Sequence, residues 1–159
     1  MTVLYFGVYD PAYARNWVLI NGLKKNGVEV IECRVKPQRG AFIRLFFKFW
    51  VTHRHFDAMI VGFPGQEVMF LARLITRKPI IFDAFTSHYG GYILDRKKAS
   101  PKSLRARYYR FLDAWSCKLA NTVLLDTQAH IDFFVKEYHL PPQKFRRLWI
   151  GANEHIFHV

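Results

Sequence analysis

Apolar runs and helical stripes alternate along this chain. Val3 to Val8 is a short apolar run and reads as a buried first strand. Asp10-Pro11 opens a turn, and Trp17, Leu19, Ile20 and Leu23 then recur at helical spacing. Lys24 and Lys25 suit the end of that helix, and Asn26-Gly27 stops it. Val28 to Val35 predicts a second strand. A loop, Lys36 to Gly40, leads into Ala41 to Arg54, which is helical in propensity and very apolar. Asp57 to Phe63 predicts a third strand, broken by Pro64-Gly65. In the next helix, Glu67 to Arg77, the residues Val68, Leu71, Ala72 and Ile75 share one face. Pro79 to Phe85 predicts a fourth strand, which runs into a polar, glycine-containing loop ending near Arg96.

Ser100-Pro101 then predicts a capped helix start, with the helix running to about Ala120. Leu104, Tyr108, Phe111, Leu112, Trp115 and Leu119 are its expected buried stripe. Thr122 to Leu125 reads as a fifth strand, and Thr127 caps a helix whose stripe is Ile131, Phe134, Val135 and Tyr138. Leu140-Pro141-Pro142 ends that helix, and Arg146 to Ile150 predicts a sixth strand. The strands are near-continuous apolar runs, as expected where both sheet faces are covered. The pattern predicts an α/β fold: one Rossmann-like, doubly wound domain over residues 1–159, with a mainly parallel sheet of about six strands.

Composition adds a charge. The 159 residues carry a formal net charge of +12, are 51% hydrophobic and 17% aromatic. That apolar content excludes general disorder. The charge points to an anionic partner: nucleic acid, an acidic membrane surface or a phosphorylated ligand. Cys33 and Cys117 are far apart, in no metal-type spacing, which predicts a reduced, cytoplasmic protein. The N-terminus shows no secretory pattern, and no apolar run is long enough to cross a bilayer.

Candidate chemistry gathers at predicted strand ends. The turn after the first strand has one glycine, so the G-x-G-x-x-G dinucleotide fingerprint is missing. It offers instead Asp10, Arg15 and Asn16; Arg15 can hold a phosphate or hydroxyl-rich ligand, or pair with Asp10. Gly65 and Gln66 occupy the equivalent turn after the third strand. Asp83, Thr86 and His88 follow the fourth, and Asp126 and Thr127 the fifth. His88 is the one candidate catalytic residue. His155 and His158 beside Glu154 lack a further ligand, so no metal is expected. Phe42, Phe46, Phe47, Phe49 and Trp50 go nearly all round the Ala41–Arg54 helix, more apolar surface than one core contact needs. With Arg44 and Lys48 they suit an anionic membrane interface.

The ordered segments YDPAYARN, NGVEV, VGFPGQ, FDAFTSHY, YILDRKKASPKSLRARYYRFLD, LLDTQAHIDFF and KFRRLWIGANEHIF resemble the N-terminal domain of family-four glycosyltransferases, over essentially the whole chain. The resemblance implies half of a retaining, two-domain enzyme of the GT-B type. Its N-terminal domain binds the acceptor, often lipid-linked, at the cytoplasmic membrane face. Its C-terminal domain binds a nucleotide-sugar donor, usually without a metal or other cofactor. Arg15, Asn16, Gly65, Gln66 and His88 would line the cleft, and Gly151, Ala152 and Asn153 would fall at the crossover. The donor domain and its paired glutamates are missing, so the expectation is an inactive chain alone, completed by a C-terminal domain or a separate donor-binding subunit. The other reading is a basic membrane-surface or nucleic-acid-binding module without catalysis. Nucleic acid is the weaker of those two, because no stacking motif or recognition helix is present.

Overall fold

The computed structural model describes residues 1–52 and 55–151. A parallel sheet of six strands has the order β2-β1-β3-β4-β5-β6. In chain order the elements are β1 (Thr2–Val8), α1 (Ala14–Lys25), β2 (Glu29–Val35), α2 (Ala41–Thr52), β3 (Ala58–Val61) and α3 (Val68–Ile75). Then come β4 (Ile80–Phe85), α4 (Leu104–Leu119), β5 (Thr122–Leu125), α5 (Gln128–Tyr138) and β6 (Phe145–Arg147). Strand alternation sorts the core into two layers. Leu4, Phe6, Met59, Val61, Ile80 and Phe82 face the side covered by α2, α3, α4 and α5. Val3, Tyr5 and Ile60 face α1 through Ile20. The doubly wound Rossmann-like expectation therefore holds.

Local chemistry explains most boundaries. Gly27 takes φ +74 after the α1 cap Asn26, a conformation that favours glycine. Thr127 caps α5, its hydroxyl accepting from the His130 N–H at 3.1 Å. Three expectations change. The Ser100 hydroxyl accepts from the Lys102 N–H, and the helix starts a turn later on Ser103, whose hydroxyl accepts from the Ala106 N–H. Four residues of the expected buried stripe of α4 face outward, Leu104, Tyr108, Phe111 and Trp115 being exposed, while Leu112 is buried and Leu119 packs against the core as expected, beside Ala106, Asp113, Ser116 and Cys117. The last strand is shorter and earlier than Arg146 to Ile150, because only Phe145–Arg147 reach the β5 ladder in register.

The turn from β3 into α3 is packed to contact. A Cβ added at Gly65 would lie 2.7 Å from both the Gly62 carbonyl oxygen and Val61 Cγ1. A backbone carbonyl cannot step aside as a flexible side chain can. Gly91, by contrast, has open space around it. Gly65→Ala is expected to destabilise the protein by about 1–3 kcal/mol, the usual range for overpacking, while Gly91→Ala stays near neutral. Urea midpoints check both; an unchanged midpoint for Gly65→Ala overturns this account of the turn.

Candidate functional site

The strand order reverses at β1, which has β2 on one side and β3 on the other. The crevice beyond the carboxyl ends of β1 and β3 is where such a sheet binds ligands. Two adjoining clefts lie there, of about 550 Å³ and about 660 Å³, sharing Val8, Pro37, Pro64, His88 and Tyr92.

The wall after β4 is built by an unusual turn. Phe85 has φ +57, and the Thr86 N–H donates to the Ala84 carbonyl at 2.6 Å. An aromatic residue rarely takes this conformation, so the turn holds local strain. The chain then enters a wide π-type helical turn, Tyr89–Asp95, where a loop is expected from the sequence. Asp113 of α4 organises its start. Its Oδ2 accepts from the Ser87 hydroxyl at 2.7 Å, the Tyr89 N–H at 2.9 Å and the Tyr138 hydroxyl at 3.0 Å. Its Oδ1 accepts from the His88 N–H at 3.1 Å. Burial pushes the Asp113 carboxyl up, while these donors hold it down. His88 is thereby fixed with its ring edge-on to Tyr92 and Tyr109, each at 5.8 Å between centroids. Burial pulls its imidazole below the ordinary histidine value, so the ring is neutral near pH 7.

Asn16 joins the turns on both sides of the crevice. It accepts from the Tyr5 hydroxyl at 2.9 Å and donates to the carbonyls of Phe63, at 2.7 Å, and Asp10. Gln66 donates to the Thr86 carbonyl at 3.2 Å. Between these stitches, three buried polar atoms have no hydrogen-bond partner among the described residues: Tyr9 Oη, Gln66 Oε1 and His88 Nδ1. All three side chains line the two clefts. Packed aromatic rings supply an apolar wall, with Tyr13 tilted against Phe63 at 5.6 Å and Phe63 edge-on to Phe85 at 5.1 Å. Buried polar groups are normally satisfied; these three are not, and their side chains line the two clefts beside an apolar wall.

Of the residues expected here, Asp10, Asn16, Gln66, Thr86 and His88 do line the clefts. Gly65 is buried against backbone. Arg15 is turned inward and pairs with Asp83 rather than Asp10, Nη2 to Oδ1 at 2.8 Å, with both side chains buried. Its Nη1 donates to the Leu148 carbonyl at 2.9 Å. Burial raises the Asp83 carboxyl, with the Arg15 guanidinium pulling the other way. Asp126 pairs with His130 at 2.5 Å, and neither it nor Thr127 lines the two clefts. Asn153, with Ala152 and the terminal histidines, lies outside the described residues, as do His53 and Arg54. On α2, Phe42, Phe47, Lys48, Arg44 and Trp50 are exposed and Phe46 is half-buried. Sequence reasoning missed Tyr9, Phe63, Phe85 and Asp113; the available signal was Asp113, the one acid in an otherwise basic and apolar helix. Among the described residues no group of three metal-ligating side chains converges. The chain matches no protein-family model, and no curated protein matches it.

Removing one partner of a buried ion pair strands the other charge. Arg15→Met is therefore expected to cost about 3–5 kcal/mol, and the double variant Arg15→Met/Asp83→Leu to regain most of it. Equal losses in both variants, read from urea denaturation, contradict a stranded charge. His88 gives a pH signature. Its folded-state proton affinity is depressed, so its contribution to stability is complete above about pH 6.5 and is lost as pH falls below that value. The stability difference between wild type and His88→Gln should shrink from about pH 7.5 to about pH 5. Parallel curves would mean that the imidazole is not held neutral.

Proposed function

We propose that this chain is the acceptor-binding domain of a retaining glycosyltransferase. The observation that carries the reading is the crevice at the strand-order reversal, where three unpartnered buried polar atoms sit beside an aromatic wall. A sugar presents both matching surfaces, hydroxyls at its rim and C–H groups on its faces. The ordered resemblance to family-four glycosyltransferases supports the same reading, and so does the lack of a dinucleotide fingerprint. In this reading His88 Nδ1, Gln66 Oε1 and Tyr9 Oη accept from or donate to acceptor hydroxyls. The donor, a nucleotide sugar, is held by a second domain or subunit across the cleft. Transfer would retain the anomeric configuration with electrostatic help from the cleft, no side chain here acting as nucleophile. The exposed aromatic side of α2 suits a lipid-linked or membrane-associated acceptor, and the place of work is the cytoplasmic side of a membrane. No helix among the described residues is long and apolar enough to cross one.

The test is a backbone-amide NMR titration of the whole chain with a panel of mono- and disaccharides and their lipid phosphates. Shifts should cluster at Tyr9, Gln66, His88 and Tyr92 for at least one acceptor. His88→Gln should weaken that binding roughly 3–10-fold, the worth of one hydrogen bond. The purified chain should turn over no nucleotide sugar. Turnover by the chain alone, or crevice shifts with the nucleotide portion and with no sugar, would overturn the assignment. Salt-sensitive DNA binding without sugar shifts would favour the nucleic-acid reading.

A further inference from the structure

Helix α4 is amphipathic, yet its aromatic stripe faces away from the sheet. Leu104 is 80% exposed, and Tyr108, Phe111 and Trp115 are each more than two-fifths exposed. The side that meets the core carries Ala106, Leu112, Asp113, Ser116 and Cys117. This arrangement is unfavourable in water unless the outward stripe has an apolar environment of its own.

The neighbouring helices continue the stripe. Helix α3 packs beside α4 and α2 beside α3. Phe70 of α3 stacks on Phe111 of α4 at 6.0 Å with rings nearly parallel, and Leu74, one turn on, is 79% exposed. On α2, Ile43, Phe47 and Val51 succeed one another at four-residue spacing, all more than three-fifths exposed. One side of the molecule therefore shows an apolar surface spread over three adjacent helices.

Its charge is one-sided. Arg44 on α2 and Arg105, Arg107 and Lys118 on α4 are cationic, while Lys48, Arg73 and Arg110 are engaged by the Arg34 carbonyl, by the Leu119 carbonyl and Asn121, and by Glu137 of α5. The three helices contain one acid, Asp113, and it is fully buried. Glu67, just before α3, is held by the Tyr108 hydroxyl at 3.0 Å. Two copies meeting through this surface would set cations against cations. An anionic bilayer matches both properties at once, its headgroups meeting the Lys and Arg and its upper acyl region the aromatic side chains.

We propose that the joint outer surface of α2, α3 and α4 is a docking face for an anionic lipid bilayer. The face includes α3 and α4 as well as α2, and it is independent of whether the crevice binds a sugar. Phe42 of the same helix is exposed and lines the larger cleft, so docking through α2 brings the crevice close to the lipid surface.

The experiment is vesicle co-sedimentation of the whole chain, with phosphatidylcholine alone and with phosphatidylcholine–phosphatidylglycerol mixtures, at low and high salt. Wild type should bind the anionic vesicles and lose binding to neutral ones. Leu74→Glu/Leu104→Glu places two carboxylates at well-exposed positions on α3 and α4, where folding is not at issue. It should reduce partitioning at least roughly tenfold, a loss of one apolar contact and gain of one repulsion being enough for that factor. Phe47→Glu should act alike from α2. Loss with Phe47→Glu alone, the double variant binding as wild type does, would overturn the three-helix face. Wild type that ignores vesicles but sediments as a dimer abolished by Leu74→Glu/Leu104→Glu would assign the face to a second copy. Equal binding to a DNA duplex, indifferent to the same double variant, would reduce it to nonspecific charge. Sugar titration of the crevice is read separately, so failure of either idea leaves the other standing.

Discussion

The buried pair of Arg15 and Asp83 is the contact on which the arrangement around the crevice depends. Desolvating two charges is costly, and only good geometry with further hydrogen bonds offsets it. Here the guanidinium makes contacts at 2.8, 3.0 and 3.2 Å to the carboxylate and adds the Leu148 carbonyl at 2.9 Å. Three separate pieces of chain meet at one point: the first turn of α1, the carboxyl end of β4 and the segment leaving β6. The Phe85 ring lies under the same guanidinium at 5.2 Å. The strained turn at Phe85 is thus braced from below, and that turn aims the next residues, Thr86 to His88, at the crevice.

Two further polar hubs complete the frame. Asn16 ties the turns after β1 and β3, and Asp113 fixes the start of the π-type turn. Both are buried, and both have their hydrogen-bonding atoms occupied by protein. Against this background the partnerless atoms of Tyr9, Gln66 and His88 are informative. They stand beside an asparagine and an aspartate whose polar atoms are all engaged by protein, and that contrast is what the proposed recognition of a polar ligand rests on. Rigid framing around unsatisfied groups is what preorganised recognition requires.

The fold was legible because strand alternation, helix caps and glycine stops are local signals, and Asn26-Gly27 and Thr127 acted as the sequence suggested. Asp10, Asn16, Gln66, Thr86 and His88 were legible as cleft residues because their positions follow from strand ends alone. Arg15 was not. Its partner, Asp83, is 68 residues away, and only the parallel sheet brings them together. Phe85 at positive φ and the wide turn beyond it were hidden for a related reason: nothing in the local sequence favours either, and tertiary contacts hold them. In the sequence Asp113 is one polar position on an amphipathic helix, and only the fold brings the Ser87 and Tyr138 hydroxyls onto it.

The same limit explains the reversed faces of α4. Periodicity reports that a helix has an apolar stripe; it does not report what the stripe meets. The usual inference, that the stripe meets the core, assumes the polar side can tolerate only water. On α4 the inward side carries Ala106, Leu112, Ser116 and Cys117, mostly small residues, with Asp113 fully hydrogen-bonded. Such a side packs closely on a sheet and supplies a carboxylate where the π-type turn needs one. The bulky side is then displaced outward next to Phe70 and Leu74 of α3. The requirement to position His88 through Asp113 and the exposure of the aromatic stripe are therefore two consequences of one rotation of the helix. Turning α4 to bury Phe111 and Trp115 would withdraw Asp113 from Ser87, Tyr89 and Tyr138. The crevice and the apolar outer face are in this sense built by the same choice.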